Sequence, residues 1–453
     1  MSRFFQSQHR QKALLLVALL VAAFLKGWLV LRSVLPFNSD EAVVALMARH
    51  ILGGAKPIFF YGQAYMGSLD AWLAAAGFLI FGEQVWVIRL IQGGLYLGVL
   101  ISTYKLGEVA FDSKQVGLVA VWLLVVPNVI VTLYTTVSLG GYGEGLLIGN
   151  LILITGLKIT KDLQAKRLVG AWRWLSWGIL AGLGLWVIGL TLIFSLPMGF
   201  FILFSLWRYA SGQRKFGLPH WSWKSLSYIL LGGVLGAAPW WVYGIRNGLG
   251  QLLGELSGSA VAVETTPWLM RVGQHFVSLV LFGSTAVFGL RPSWEIRWLA
   301  LPLIPFVLAF WSGVLIYIIF QFNKGRDKYQ GAWVLVGMML VLAAGFVFTS
   351  FGVDPSGRYF VPLVIPMALF AGEMLISLSV RHGRWVFWML PLILVYNFWG
   401  TYQAAQRFPP GITTQFDPIA QVDHRDRDEL IQFLRDQGET RGYTNYWVAY
   451  PLA

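Results

Sequence analysis

Residues 12–50 read KALLLVALLVAAFLKGWLVLRSVLPFNSDEAVVALMARH, and this stretch decides the fold. From Ala13 to about Leu35 the chain is apolar with Lys26 inside it; Pro36-Phe37-Asn38-Ser39 then interrupts, and Asp40-Glu41 opens a second, amphipathic helical pattern. Such a run is long enough for a ~30 Å hydrocarbon layer and too long for the core of a signal peptide, and no small-residue cleavage site follows it. With Arg3, Arg10 and Lys12 ahead of it, the run is expected as a retained span whose N-terminus is cytoplasmic.

Composition extends this reading to the whole chain. Of 453 residues 57% are hydrophobic and only 12% charged, with 22 Trp and a mean hydropathy of +0.64, whereas soluble domains are about a quarter charged. Disorder is excluded because 15% of the chain is aromatic. The net charge of +13 fits Lys and Arg gathered in cytoplasmic loops better than nucleic-acid binding. Zero Cys excludes disulfides, thiolate metal sites and Cys nucleophiles.

Further spans are expected at Val85 to Tyr104, Val116 to Val137, Leu146 to Leu157, Leu175 to Gly189, Leu190 to Trp207, Leu226 to Ile245, Trp298 to Phe320, Trp333 to Phe351, Phe360 to Val380 and Trp385 to Tyr402. That is an all-α polytopic membrane protein of about eleven helices, with ten to thirteen as the range set by two short apolar segments, Leu69 to Phe81 and Phe276 to Leu290. Lys158, Lys161, Lys166, Arg167 and Arg173 form one cytoplasmic loop; Arg208, Arg214, Lys215 and Lys224 form another, and Lys324, Arg326, Lys328, Arg381 and Arg384 also belong inside. Residues 36–68, 246–297 and everything beyond 402 then lie outside, which by parity makes Leu69 to Phe81 a juxtamembrane or re-entrant helix. The membrane domain is residues 1–402. Residues 403–453 form a short α/β tail, with a helix around Leu430, Ile431 and Leu434 and a strand over Tyr443 to Ala449.

Two readings stand for Asp40 and Glu41. Behind an Asn38 or Ser39 cap, both complement the positive end of a helix dipole. Alternatively, a carboxylate held at the membrane surface takes a proton from an acceptor hydroxyl, with partial desolvation raising its pKa. The following segment, Lys56-Pro57-Ile58-Phe59-Phe60-Tyr61-Gly62-Gln63-Ala64-Tyr65-Met66-Gly67-Ser68-Leu69-Asp70, mixes aromatic rings with polar groups, as a sugar site requires.

Taken in order, a first span, an Asp-Glu helix, a Pro and aromatic segment, an apolar helix ending in Phe81-Gly82 and then Val87-Ile88-Arg89 resemble the C-type (GT-C) membrane glycosyltransferases, above all the protein O-mannosyltransferase-like branch that includes the lipid A aminoarabinose transferase. The resemblance is clearest from Pro36 to Glu144. It implies a GT-C bundle and an inverting transfer of sugar from a polyprenyl-phosphate donor to a hydroxyl of a lipid, glycan or protein on the extracytoplasmic face, here of a bacterial inner membrane. It puts the base or metal-site residue on Asp40, beside Glu41, and a second acid on Glu144 in Gly140-Gly141-Tyr142-Gly143-Glu144-Gly145, which also reads as a helix-start carboxylate. If a divalent cation such as Mg or Mn takes part, Asp40 and Glu144 are its ligands. Several relatives have Glu-Lys-Pro where this chain has Tyr65-Met66-Gly67-Ser68, so the phosphate-contacting Lys is missing and Lys56 is the substitute.

The resemblance also implies an Arg-Tyr in a late outside turn, matched by Arg358-Tyr359 within Asp354-Pro355-Ser356-Gly357-Arg358-Tyr359-Phe360. Arg358 reads equally as a phosphate clamp or as a snorkelling interfacial residue. Tyr61, Gln63, Tyr65 and Asp70 are expected to line the sugar site, with Glu255, Glu264 and Trp268 shaping acceptor entry. Asp426-Arg427-Asp428 reads as a solvated charge run, and the six His, His424 among them, show no metal-ligand spacing. A lipid-linked sugar flippase or secondary transporter is the rival class, although transporters usually carry their ionisable groups at mid-depth, whereas most acids here lie in loops and Lys26 is the main exception.

Overall fold

The computed structural model describes residues 8–212, 220–256, 266–323, 330–407, 410–417, 420–423, 425–439 and 441–452. Arg3, Arg214, Lys215, Glu264, Lys324, Arg326, Lys328 and His424 lie outside the described residues, as does the side chain of Glu255.

The first half contains α1 (Gln8–Leu31), α2 (Ser39–Leu52), a hairpin of β1 (Phe59–Phe60) and β2 (Gln63–Gly67), α3 (Leu69–Phe81), α4 (Val85–Phe111), α5 (Lys114–Val125), α6 (Val129–Tyr134), α7 (Tyr142–Gln164), α8 (Ala171–Val187) and α9 (Leu192–Gly212). The second contains α10 (His220–Gly236), α11 (Ala238–Asn247), α12 (Leu249–Leu256), α13 (Trp268–Ser278), α14 (Ser284–Val287), α15 (Ile304–Asn323), α16 (Gln330–Phe348), α17 (Val364–His382), α18 (Met389–Gln406), α19 (Arg427–Asp436) and α20 (Tyr446–Leu452).

Six of these helical stretches, built on α1, α4, α9, α15, α16 and α17, are long and apolar enough to cross a membrane, and a seventh is reached if the α10–α11 pair, bent by 66°, counts as one span. Two expected spans are broken, each at a proline that removes a helical hydrogen bond. Val116 to Val137 divides into α5 and α6 around Pro127, and Leu226 to Ile245 divides into α10 and α11 beside Pro239. Leu69 to Phe81 is the 13-residue α3, packed between α2 and α4.

Close packing uses small residues, which substitute for a hydrophobic driving force between helices in lipid. Gly178 and Gly182 of α8 meet Gly232 and Gly236 of α10 backbone to backbone: a Cβ on Gly182 would lie 2.2 Å from the Gly233 carbonyl oxygen, and one on Gly236 2.2 Å from that of Ile179. Lys26 faces inward rather than towards lipid. Its ammonium donates to Thr135 and Thr136 Oγ1 at 2.6 Å each and to the Thr132 carbonyl at 3.2 Å, and lies 4.6 Å from the Tyr96 ring centre.

The described tail residues hold α19 and α20 and no strand. The run expected as a strand from Tyr443 to Ala449 is irregular up to Asn445 and helical from Tyr446, because the Asn445 side chain accepts from the Val448 N–H at 3.1 Å and caps a helix.

Candidate functional site

The site begins with a helix cap. Asn38 is extended, and its Oδ1 accepts from the Glu41 N–H at 3.0 Å, which starts α2 one residue before Asp40. Consecutive residues on a helix diverge by about 100°, so Asp40 and Glu41 face different surroundings. Glu41 points inward with no exposed surface and receives a bidentate pair from Arg89, Nε to Oε1 at 3.1 Å and a terminal nitrogen to Oε2 at 2.9 Å. Burial raises its pKa and the Arg89 charge opposes that rise. The outcome is a buried structural ion pair fastening α2 to α4.

Asp40 is half-buried and opens onto a cavity of about 410 Å³. Burial pushes its carboxyl above the ordinary value; the Tyr446 hydroxyl, donating to Oδ1 at 2.8 Å, and the Arg358 charge pull the other way. Gln63 and Tyr65, delivered by the β1–β2 hairpin, share the cavity wall with Tyr142, Arg358 and Tyr359. Apart from Thr349 the rest of the lining is apolar, and α9, through Leu192, Ile193 and Leu196, and α16, through Val341, Leu342 and Phe346, supply much of it.

Arg358 is held at the polar end. It pairs with Asp354 at 2.7 Å, donates to the Tyr359 hydroxyl at 3.0 Å and stacks 5.0 Å from that ring, while its buried Nε has no partner among the described residues. Its turn is fastened from beneath by Arg291, which is 2% exposed and donates to the carbonyls of Phe282, Pro292 and Pro355 and to Thr285 Oγ1. Burial brings the Arg291 pKa down to about 10.

Asp40, Gln63, Tyr65, Arg358 and Tyr359 therefore converge on one cavity, and the other expected residues whose side chains are described do not line it. Lys56 is exposed, Tyr61 is exposed with its hydroxyl 2.9 Å from His50 Nδ1, and Trp268 stacks on Phe348 with ring centres 6.4 Å apart. Asp70 is buried, accepting from Ser138 Oγ at 2.6 Å and from the Gly141 N–H at 3.0 Å. Gly140 and Gly141, with φ of +86° and +85°, supply the left-handed turn that aims this N–H at the carboxylate. Glu144 lies beside Asp70 and accepts from Gln92 at 3.4 Å.

No family model matches the chain, and no curated protein matches it. Solved structures do. ArnT from Cupriavidus metallidurans bound to undecaprenyl phosphate aligns with a TM-score of 0.55 at 13% identity, over 98% of this chain and 85% of that one. The Archaeoglobus fulgidus oligosaccharyltransferase aligns at 0.53 and 13% identity over 97% of this chain, which spans 60% of that longer protein. The archaeal enzyme AglB from the same organism, in complex with an inhibitory peptide and a dolichol-phosphate, aligns at 0.51 and 13% identity.

The chain has the GT-C fold.

Within this GT-C fold the acids do not assemble as a cation site around Asp40. Glu144 faces Asp70 away from the cavity, Asp40 has a guanidinium and a phenol for neighbours, and among the described residues no three His, Asp or Glu cluster. Asp40 and Glu144 are therefore not placed to hold one cation between them. Two residues escaped sequence reasoning. Arg291 carried only an isolated Arg-Pro as a signal; Tyr446 followed an Asn that could have been read as a helix cap.

Proposed function

We propose that the chain is an integral-membrane inverting glycosyltransferase that moves a sugar from a polyprenyl-phosphate donor to an acceptor hydroxyl on the extracytoplasmic face. One observation carries the reading: a carboxylate and a guanidinium share the polar end of a cavity whose remaining wall, much of it from α9 and α16, is mainly apolar. An isoprenoid chain suits that wall, and a sugar phosphate suits the polar end. The structures resembling this fold include complexes with undecaprenyl phosphate and with dolichol-phosphate, which supports the donor class.

In this mechanism Asp40 takes the proton of the acceptor hydroxyl as that oxygen attacks the anomeric carbon. The bond from carbon to phosphate oxygen breaks, and its electron pair leaves on the lipid phosphate, whose growing charge Arg358 offsets. Gln63 and Tyr65 orient the sugar ring, and Tyr359 holds the Arg358 fork.

The test is transfer from radiolabelled undecaprenyl-phosphate hexoses by purified protein in nanodiscs. Asp40→Asn is expected to reach normal abundance and thermal stability and to lose label release. A stable Asp40→Asn protein with parental turnover would remove the base assignment.

A further inference from the structure

The acceptor side of Asp40 is covered by the tail. Helix α20 lies on α2, where the Ser39 hydroxyl donates to the Tyr446 carbonyl at 2.9 Å and the Tyr446 phenol donates to Asp40 Oδ1 at 2.8 Å. Tyr450 packs against the apolar cluster that includes Val43, Val44 and Met47 of α2. The phenol therefore makes with the carboxylate the hydrogen bond that a substrate alcohol must make before its proton can be taken.

The attachment is light. Seven residues form α20, Tyr446 remains 38% exposed, and the described residues from Gln437 to Asn445 are exposed. No residue of α19 is buried. Segments with few buried contacts sit at the low end of local stability and open first.

We propose that α20 is a lid over the acceptor subsite and that the Tyr446 hydroxyl stands where the acceptor's alcohol binds, so that an acceptor reaches Asp40 only by displacing the tail helix. This rests on the glycosyltransferase reading for the identity of the incoming group, and on the α2–α20 contact alone for the lid. In the closed arrangement the phenol occupies Oδ1 of Asp40, so that neither water nor acceptor can bond that oxygen until it moves away. Water admitted to Asp40 attacks the anomeric carbon, passes one proton to the carboxylate and expels the polyprenyl phosphate with the electron pair of the broken bond; Asp40 then returns the proton to solvent.

Two measurements on the full chain in nanodiscs separate the lid from the enzyme reading. The first is carbodiimide and glycine ethyl ester labelling of Asp40, read by peptide mass spectrometry with the exposed Asp428 as control. A hydrogen bond to a carboxylate is worth about tenfold in local access, so Tyr446→Phe and Tyr446→Ala are expected to speed labelling at Asp40 by about that factor and to leave Asp428 unchanged. The second is hydrolysis of tritiated undecaprenyl-phosphate mannose and glucose. Both variants are expected to release free sugar faster than the parent, and adding Asp40→Asn should abolish the gain. Parental labelling rates in both Tyr446 variants overturn the lid. Faster labelling with sugar release that survives Asp40→Asn leaves the lid standing and overturns the base assignment. Faster labelling with no gain in Asp40-dependent hydrolysis overturns the acceptor-subsite role.

Discussion

The assignment of Glu41 to structure and Asp40 to chemistry rests on the pair with Arg89, and Arg89→Met tests it. Glu41 is 0% exposed, Arg89 is 6% exposed, and both carboxylate oxygens depend on the same guanidinium. Removing the guanidinium deletes two charge-assisted hydrogen bonds and leaves an uncompensated buried acid, for which about 3–5 kcal/mol is the usual loss. Replacing both partners, as Glu41→Leu with Arg89→Met, removes the stranded charge along with the bonds and should recover most of that loss. A double-mutant cycle in denaturant or thermal unfolding then gives a coupling energy of the same order.

The Arg89→Met variant should also respond to acid. Burial already holds the Glu41 carboxyl above its ordinary value, and losing Arg89 raises it further. A carboxyl whose folded pKa exceeds its unfolded one costs stability that appears as pH rises between the two. The variant should therefore regain stability as pH is lowered through that window, more steeply than the parent. Equal stability of parent and Arg89→Met would refute the structural assignment; so would a Glu41→Gln protein of parental stability that had lost transfer.

Three other outcomes are expected. Arg358→Ala should raise the donor KM by about tenfold or more, the scale of a lost charge-assisted contact, with acceptor KM little changed in steady-state assays. In a pH–rate profile the acid limb reports ionisation of Asp40; because the Tyr446 hydroxyl favours the ionised form, Tyr446→Phe should move that limb to higher pH. Gly182→Leu should force α8 from α10, since even a Cβ there meets the Gly233 carbonyl at 2.2 Å, and should cost at least the ~1–3 kcal/mol of overpacking, read as lower folded yield and a reduced Tm.

Hydropathy made the membrane helices legible because burial in lipid demands long apolar runs whatever the tertiary fold. Where it failed, the determinant was local or reciprocal. Pro127 and Pro239 were visible, yet a 20-residue average smooths over a break that depends on one missing N–H. The glycines of α8 and α10 gain meaning only as a facing pair, which spacing along either helix alone does not reveal. In the tail, a β-favouring composition around Tyr443 to Ala449 lost to one capping side chain, Asn445.

For the site, chemistry was readable and direction was not. Asp40 and Glu41 are adjacent acids of the same kind, and the local pattern does not separate them; only the resemblance set Asp40 first. A helix start separates them by a third of a turn, placing one in a cavity and the other against Arg89, 48 positions along the chain. Glu144, on α7, has Asp70 rather than Asp40 for company. Resemblance supplied residue types, while the partners that decide function lie far away in the chain: Arg89 for Glu41, Arg291 for the turn of Arg358, and Tyr446 for Asp40. Each partner acts on its target through a bond that nothing in the local pattern specifies, so the charge state and reach of an acid here are properties of the folded chain, and substitution of the partner, rather than of the acid, is the sharper probe of its role.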